Sequence, residues 1–414
     1  MRFRGIVAAL SVSLLCFLPF RLLAKNNPRP HVIVVGVNGM EWDIIRPLLL
    51  RGELPNLAKL IQGGVYGKLR TLSAPNCPKI YTTIATSTPP EEYGITGFLV
   101  PGITANTSML REEPIWSILS KNRVTVGMAN VPATFPAMPV NGYMVSGMLT
   151  RGKGCENGLL CSPKLSEVEG GDAVYPKSMV AELEARVGDF WIDCSRMPTA
   201  DDLRGKESKV INEWLAQVTR IRNQQLKLFD YLLTYHPTDF VMLAQSCEDR
   251  VGHWLYPIQH YNVGYNASIH SVRLDAFPNQ YRAFDQVLGK ILEHADANTY
   301  IFVISDHGIK PLREFEQEQP GHPSVHDHGG TTPIIAHHDF EDGDDVPGAF
   351  IAVGPNIKKN VRLMGFPISV FDIAPTILHI YGIEVPGQMR GRVLMNIFQD
   401  TAKRRYVSKA TSAK

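Results

Sequence analysis

The sequence predicts an α/β fold with a mostly parallel central sheet sandwiched by helices, and three observations carry this. Short apolar runs rich in β-branched residues recur along the chain, helical patterns separate them, and polar residues collect where the runs end. Strands that alternate with helices lie parallel and are covered on both faces.

The first run, His31–Val37 (HVIVVGV), is nearly continuous Val and Ile, as expected of a strand buried on both sides. Val124–Ala129, Phe240–Ala244, Tyr300–Ile304 and Ala349–Val353 share its character. Asn212–Tyr235 sets Trp214, Val218, Ile221, Leu228, Phe229 and Leu232 along most of one stripe and predicts a helix. Gln280–His294 and Ser369–Tyr381 predict two more. The stretch Thr150–Lys209 is rich in Gly and charge, including Asp172, Asp189, Asp193, Asp201 and Asp202. It reads as a cap inserted beside the sheet, at about 150–209, within a single α/β domain spanning 25–400. The basic, small-residue tail 401–414 reads as a frayed terminus.

The chain has 414 residues, with 42 Lys+Arg against 40 Asp+Glu and a formal charge of +2. No stretch is basic enough to release many phosphate counterions, so nucleic acid is not an expected partner. The same balance argues against a polybasic membrane-surface protein. Residues 1–24 carry Arg2 and Arg4, then a mostly apolar run, then Ala24, the plan of a cleaved signal peptide. Pro19 and Arg21 leave about 14 apolar residues, short of the roughly 20 that span a bilayer. Export to the periplasm or exterior is therefore expected, and a membrane role would come only through an uncleaved leader acting as an anchor. Downstream lie Cys77, Cys155, Cys161, Cys194 and Cys247. Cys155 and Cys161 flank a short loop that a disulfide can close in an oxidising compartment, and the odd count leaves at least one thiol free or paired between chains.

Ligands of open α/β sheets bind beyond the carboxyl ends of the strands. Here HVIVVGV ends at Asn38-Gly39, Phe240–Ala244 runs into Glu248, Asp249 and His253, and Tyr300–Ile304 runs into Asp306-His307-Gly308. Each piece alone reads more simply as a polar turn or a chance spacing. Together, carboxylates and imidazoles converging from separate strands suit a cation such as zinc. Two further clusters, His322/His326/Asp327/His328 and His337/His338/Asp339 with the acids after it, read more simply as solvated loops.

From His31 to about Phe398 the chain resembles the type I phosphodiesterase/nucleotide pyrophosphatase family of the alkaline phosphatase superfamily. The resemblance is carried by VIVVGVNGMEWDII, RGELPNLAKLIQGGVYGKL, PKIYTTIATSTPPEEYGITGF, DFVMLAQSCEDRVGHW, ISDHG, FIAVGPNI and VFDIAPTILHIYGIEVPGQMRGRVL, in that order. It implies an alkaline phosphatase-like fold, two divalent metal ions, expected to be zinc, and a phosphoester small-molecule substrate. Carried over by resemblance, Asp249 and His253 match two ligands of one ion, and Asp306 and His307 two ligands of the other.

Three positions depart from the family pattern. Asn38 stands where the family has its first Asp, Cys77 stands where Thr or Ser is the nucleophile, and Asp344 (Asp345 with a one-residue slip) stands for the last His. Asn brings no charge, a Cys thiolate is a strong zinc ligand, and carboxylate is an accepted substitute for imidazole. The residues after Cys77 are Pro78, Lys79, Ile80 and Tyr81, so the C-x-P-x-R signature of formylglycine sulfatases is absent. The expected function is an exported, metal-dependent hydrolase of phosphodiester or phosphomonoester bonds. The alternative is a catalytically impaired relative acting as a binding or assembly protein. Specificity is expected to lie in Thr150–Lys209 and Pro311–Asp345, without a motif that names the substrate.

Overall fold

The structure is a computed structural model that describes residues 29–73, 75–156, 161–194, 207–252, 275–309, 347–365 and 367–399. Among the described residues the strands are β1 (His31–Val37), β2 (Val65–Arg70), β3 (Leu99–Val100), β4 (Ile103–Thr104), β5 (Val126–Asn130), β6 (Gly142–Gly147), β7 (Val174–Tyr175), β8 (Phe240–Gln245), β9 (Thr299–Ile304), β10 (Gly348–Val353), β11 (Val361–Arg362) and β12 (Ile368–Ser369). Except for the β3–β4 hairpin they form one sheet, ordered β11-β2-β10-β9-β1-β8-β5-β6-β7 with β12 also on β2. The centre is parallel: β9, β1, β8, β5 and β6 all run the same way. β10 is antiparallel to both β9 and β2, and β7 is antiparallel to β6.

The unbroken apolar character of the central strands has a direct cause. Successive side chains of a strand point to opposite faces, and here each face carries its own core. Ile33, Val35 and Val37 of β1 join Val241, Leu243, Ile301 and Val303 on one side. Val32 and Val34 join Phe240, Met242, Phe302 and Ile304 on the other. Helices Trp42–Leu50, Pro55–Gly63, Glu207–Tyr235 and Ala276–Leu292 cover the first face, while Cys77–Thr86, Ile115–Lys121 and Ile373–Tyr381 cover the second.

Boundaries move for local reasons. The strand expected at Val124 begins at Val126, because Val124 N bonds Leu119 O and Thr125 N bonds the Asp239 carboxylate at 3.0 Å. The last helix opens as a 3-10 turn at Val370–Asp372, where Ser369 and Asp372 form a reciprocal capping box. The Thr150–Lys209 segment does more than flank the sheet. It supplies edge strand β7 and helix Met179–Arg186, and buries Leu165, Leu183, Phe190 and Ile192 in the first core. Cys155 and Cys161 are joined, and a second disulfide links Cys194 to Cys247, leaving Cys77 as the free thiol among the described residues. No described helix is long and apolar enough to cross a membrane.

Candidate metal centre

The carboxyl ends of β9, β1 and β8 are neighbours, with Gly36 level with Ile304 and Val37 level with Gln245. The first residues beyond them therefore meet: Asn38 from β1, Ser305 to His307 from β9, and Asp249 from a helical turn at residues 247–252 after β8. The backbone is laced across the strand ends by Asn38 N to Gln245 O at 2.9 Å and Met40 N to Ser305 Oγ at 2.8 Å. Gly39 turns the chain with φ 72, and a Cβ there would stand 3.1 Å from Asp249 Oδ1. Glycine meets both demands at that position.

Cys77 arrives from the other core. It begins helix Cys77–Thr86, which Asn76 caps by accepting from Lys79 N at 3.1 Å. Its sulfur accepts from Asn38 Nδ2 at 3.0 Å and lies 4.0 Å from His307 Nε2. One turn along the helix, the Tyr81 hydroxyl donates to Asn38 Oδ1 at 2.8 Å. Gly36 makes room for that ring, since a Cβ on it would overlap the Tyr81 hydroxyl.

His307 Nδ1 lies 2.8 Å from the Gly308 carbonyl. A carbonyl only accepts, so Nδ1 carries the proton and Nε2 turns its lone pair inward in the neutral ring. Facing that lone pair are Asp306 Oδ2 at 3.5 Å and Asp249 Oδ1 at 3.9 Å. Asp306 Oδ1 accepts from Gly39 N at 3.3 Å and His307 N at 3.0 Å, whereas its buried Oδ2 accepts no hydrogen bond from the described residues.

Burial, and then the charges of Asp306 and Asp249, push the Cys77 thiol well above its ordinary range. Burial also raises Asp306, against the opposing pull of His307. Burial acts to lower His307, but the two carboxylates outweigh it and the net shift is upward. Desolvation leads for the thiol and for Asp306, while the buried carboxylates add to the Cys77 shift and set the direction of the His307 shift. Cys77, Asp306 and His307 each offer a donor atom, all within 4.8 Å of one another and all buried. A sulfur, a carboxylate oxygen without a hydrogen bond and an imidazole lone pair suit a cation of zinc's character.

Of the seven residues singled out in the sequence, five meet here: Asn38, Cys77, Asp249, Asp306 and His307. His253, Asp344 and the slipped alternative Asp345 lie outside the described residues, as do the two His-rich loops. Three contacts escaped sequence reasoning, although Glu248 and Asp193 were themselves singled out there. Tyr81 fixes the Asn38 amide. Arg250, next to Asp249, is buried against Asp193 at 3.1 Å. Glu248, on the other side of Asp249, is buried against Arg222 at 3.0 Å. The only signal for the Arg250–Asp193 pair was that both residues lie close to cysteines, Cys194 and Cys247.

A family model described as type I phosphodiesterase / nucleotide pyrophosphatase matches residues 32–360. No curated protein matches significantly in sequence. Among solved structures, a 2-O glycosaminoglycan sulfatase superposes with a TM-score of 0.51 at 11% identity, over 89% of this chain and 73% of that one. A Bacteroides thetaiotaomicron protein of glycosaminoglycan metabolism gives 0.51 at 14% identity, over 90% and 77%. Murine ectonucleotide pyrophosphatase/phosphodiesterase 5, an inactive variant in complex with AMP, gives 0.47 at 13%, over 89% and 100%. At such identities the likeness to the first two is one of fold.

Proposed function

This chain belongs to the type I phosphodiesterase/nucleotide pyrophosphatase family, within the alkaline phosphatase superfamily, and on that premise we propose that it is an exported, metal-dependent hydrolase of phosphodiester or phosphomonoester bonds. The observation that carries the proposal is the buried convergence of Cys77, Asp306 and His307 with Asp249 beside them. In this reading Asn38, Asp306 and His307 serve one divalent ion, Asp249, His253 and Asp344 serve a second, and Cys77 occupies the nucleophile position. Zinc is the ion that a sulfur donor favours. Bound divalent ions supply Lewis acidity and charge neutralisation to an in-line displacement at phosphorus.

The chain's own residues set the stage for that reaction. The first turn of helix Cys77–Thr86 fixes the sulfur, the Gly308 carbonyl fixes the His307 tautomer, and Tyr81 fixes the Asn38 amide. The Arg250–Asp193 pair and the Cys194–Cys247 disulfide tie the 150–209 segment to the turn that bears Asp249. We take residues 25–400 as one unit in which that segment borders the substrate. Two disulfides support export to an oxidising compartment.

One observation favours the second reading, an impaired relative that binds rather than cleaves. Asn38 turns its amide nitrogen to the Cys77 sulfur and its oxygen to Tyr81. An N–H donor on the sulfur restrains a nucleophile, and the amide oxygen is already engaged. Hydrolysis of bis(4-nitrophenyl) phosphate by the zinc-loaded wild type and Asp306→Ala separates the readings. Faster turnover by the wild type supports the enzyme, and equal rates support the binding protein. A gain of activity in Cys77→Ser would identify the thiol as the impediment.

A further inference from the structure

Away from the strand ends, a groove with a cavity volume of about 850 Å³ opens between helix Trp42–Leu50 and strands β2 and β11. Its size lies within the range of small-molecule sites. Strand alternation accounts for its chemistry. Val65 and Leu69 of β2 point into the second core, so Tyr66, Lys68 and Arg70 point the other way, where the helix covers the strand only in part. The indole of Trp42 closes the floor, bonded to Gly67 O at 2.8 Å and packed on Tyr66 at 5.6 Å.

Two features set this surface apart. Of the five large apolar side chains that stand exposed among the described residues, two border this one groove: Leu50 at 90% and Met364 at 70%. Exposed apolar residues are unremarkable singly, and here two of them line the same groove as Trp42 and Tyr66. Every charged residue that lines it is basic: Arg46, Lys68, Arg70 and Arg362. Arg46 is already paired with Asp43 at 3.1 Å and Arg70 is engaged as well, so Lys68 and Arg362 weigh most. An apolar floor under a cationic rim is complementary to an apolar body that ends in an anion.

We propose that this groove binds a monomeric anionic amphiphile of the fatty-acid class, with its chain along Trp42, Leu50 and Met364 and its anionic head at Lys68 and Arg362. The assignment stands on the groove alone and does not depend on the metal centre being active. Dodecanoate, below its micellar concentration, is the probe, because it carries no phosphoester that the proposed enzyme would turn over. Calorimetric titration into the wild-type chain should show saturable binding. Dodecyltrimethylammonium, with the same tail and opposite charge, and acetate, with the same head and no tail, should bind at least tenfold more weakly. The pair Lys68→Glu/Arg362→Glu, at exposed positions, should weaken dodecanoate at least tenfold with an unchanged melting temperature. Met364→Asp should also weaken it, while Asp306→Ala should leave it untouched. No saturable dodecanoate binding, equal binding of the cationic amphiphile, or undiminished binding by the charge-reversed pair would each overturn the proposal. Loss of binding in Asp306→Ala would overturn it too, by moving the probe to the metal centre.

Discussion

The Asn38 side chain donates its amide proton to the Cys77 sulfur across 3.0 Å, joining the end of β1 to the start of a helix 39 residues away. Tyr81 holds the other end of the same amide at 2.8 Å. A neutral donor thus stands where a carboxylate would add a third buried negative charge beside Asp249 and Asp306.

Replacing Asn38 with Asp should consequently act in opposite directions on the metal-free and metal-loaded protein. Without metal the added charge is buried and unpaired, so the melting temperature falls. With zinc the same charge becomes a ligand, and affinity measured by competition with a chelator should rise by about tenfold, or about 1.4 kcal/mol. An equal shift in both forms would count against a cation between Asn38 and Asp306.

The sulfur itself is a spectroscopic reporter. Cobalt-substituted wild type should show thiolate-to-metal charge-transfer absorption in the near ultraviolet, and Cys77→Ser should lack it. Identical spectra would place Cys77 outside the coordination sphere.

Glu41 gives a pH signature independent of the ligands. Burial, ahead of the opposing Asp43 N–H bond, pushes its carboxyl from 4.5 up to about 7. Below about pH 4.5 the group is protonated in both folded and unfolded chains. Between there and pH 7 the unfolded chain ionises while the folded one does not, so stability is lost as pH rises through that window. The loss should be about 2–3 kcal/mol relative to Glu41→Gln. Urea unfolding of both chelated proteins at pH 4.5 and 7.5 checks it, and parallel pH profiles would refute it.

Asp193→Ala should destabilise the chain by about 3–5 kcal/mol, because Arg250 would be left buried without its partner. Asp193→Asn, which keeps an acceptor, should cost less. A loss under about 1 kcal/mol in urea unfolding would show that Arg250 finds another acceptor or reaches water.

How much of this was legible in the sequence depends on the range of the signal. β1, β8, β9 and β10 announced themselves because burial on both faces leaves continuous apolar runs such as HVIVVGV and FVMLAQ. β2, with Lys68 and Arg70 on its open face, lacks such a run and passed unmarked as a strand, as did β6. The strand-end rule found Asn38, Asp249, Asp306 and His307, since each sits within a few residues of an apolar run. Cys77 begins a helix and was located only by family resemblance. The Cys155–Cys161 bridge was readable across a separation of 6 residues, but Cys194–Cys247, across 53, was not. Only the fold brings Asp193 and Cys194 to the turn after β8, which hides the Arg250–Asp193 pair for the same reason.

The central claim is that these side chains hold cations, and elemental analysis of purified protein tests it most directly. The wild type should carry about two divalent ions per chain, and Asp306→Ala should retain markedly less under the same wash. A wild type with no bound metal after equilibration with zinc would contradict the account.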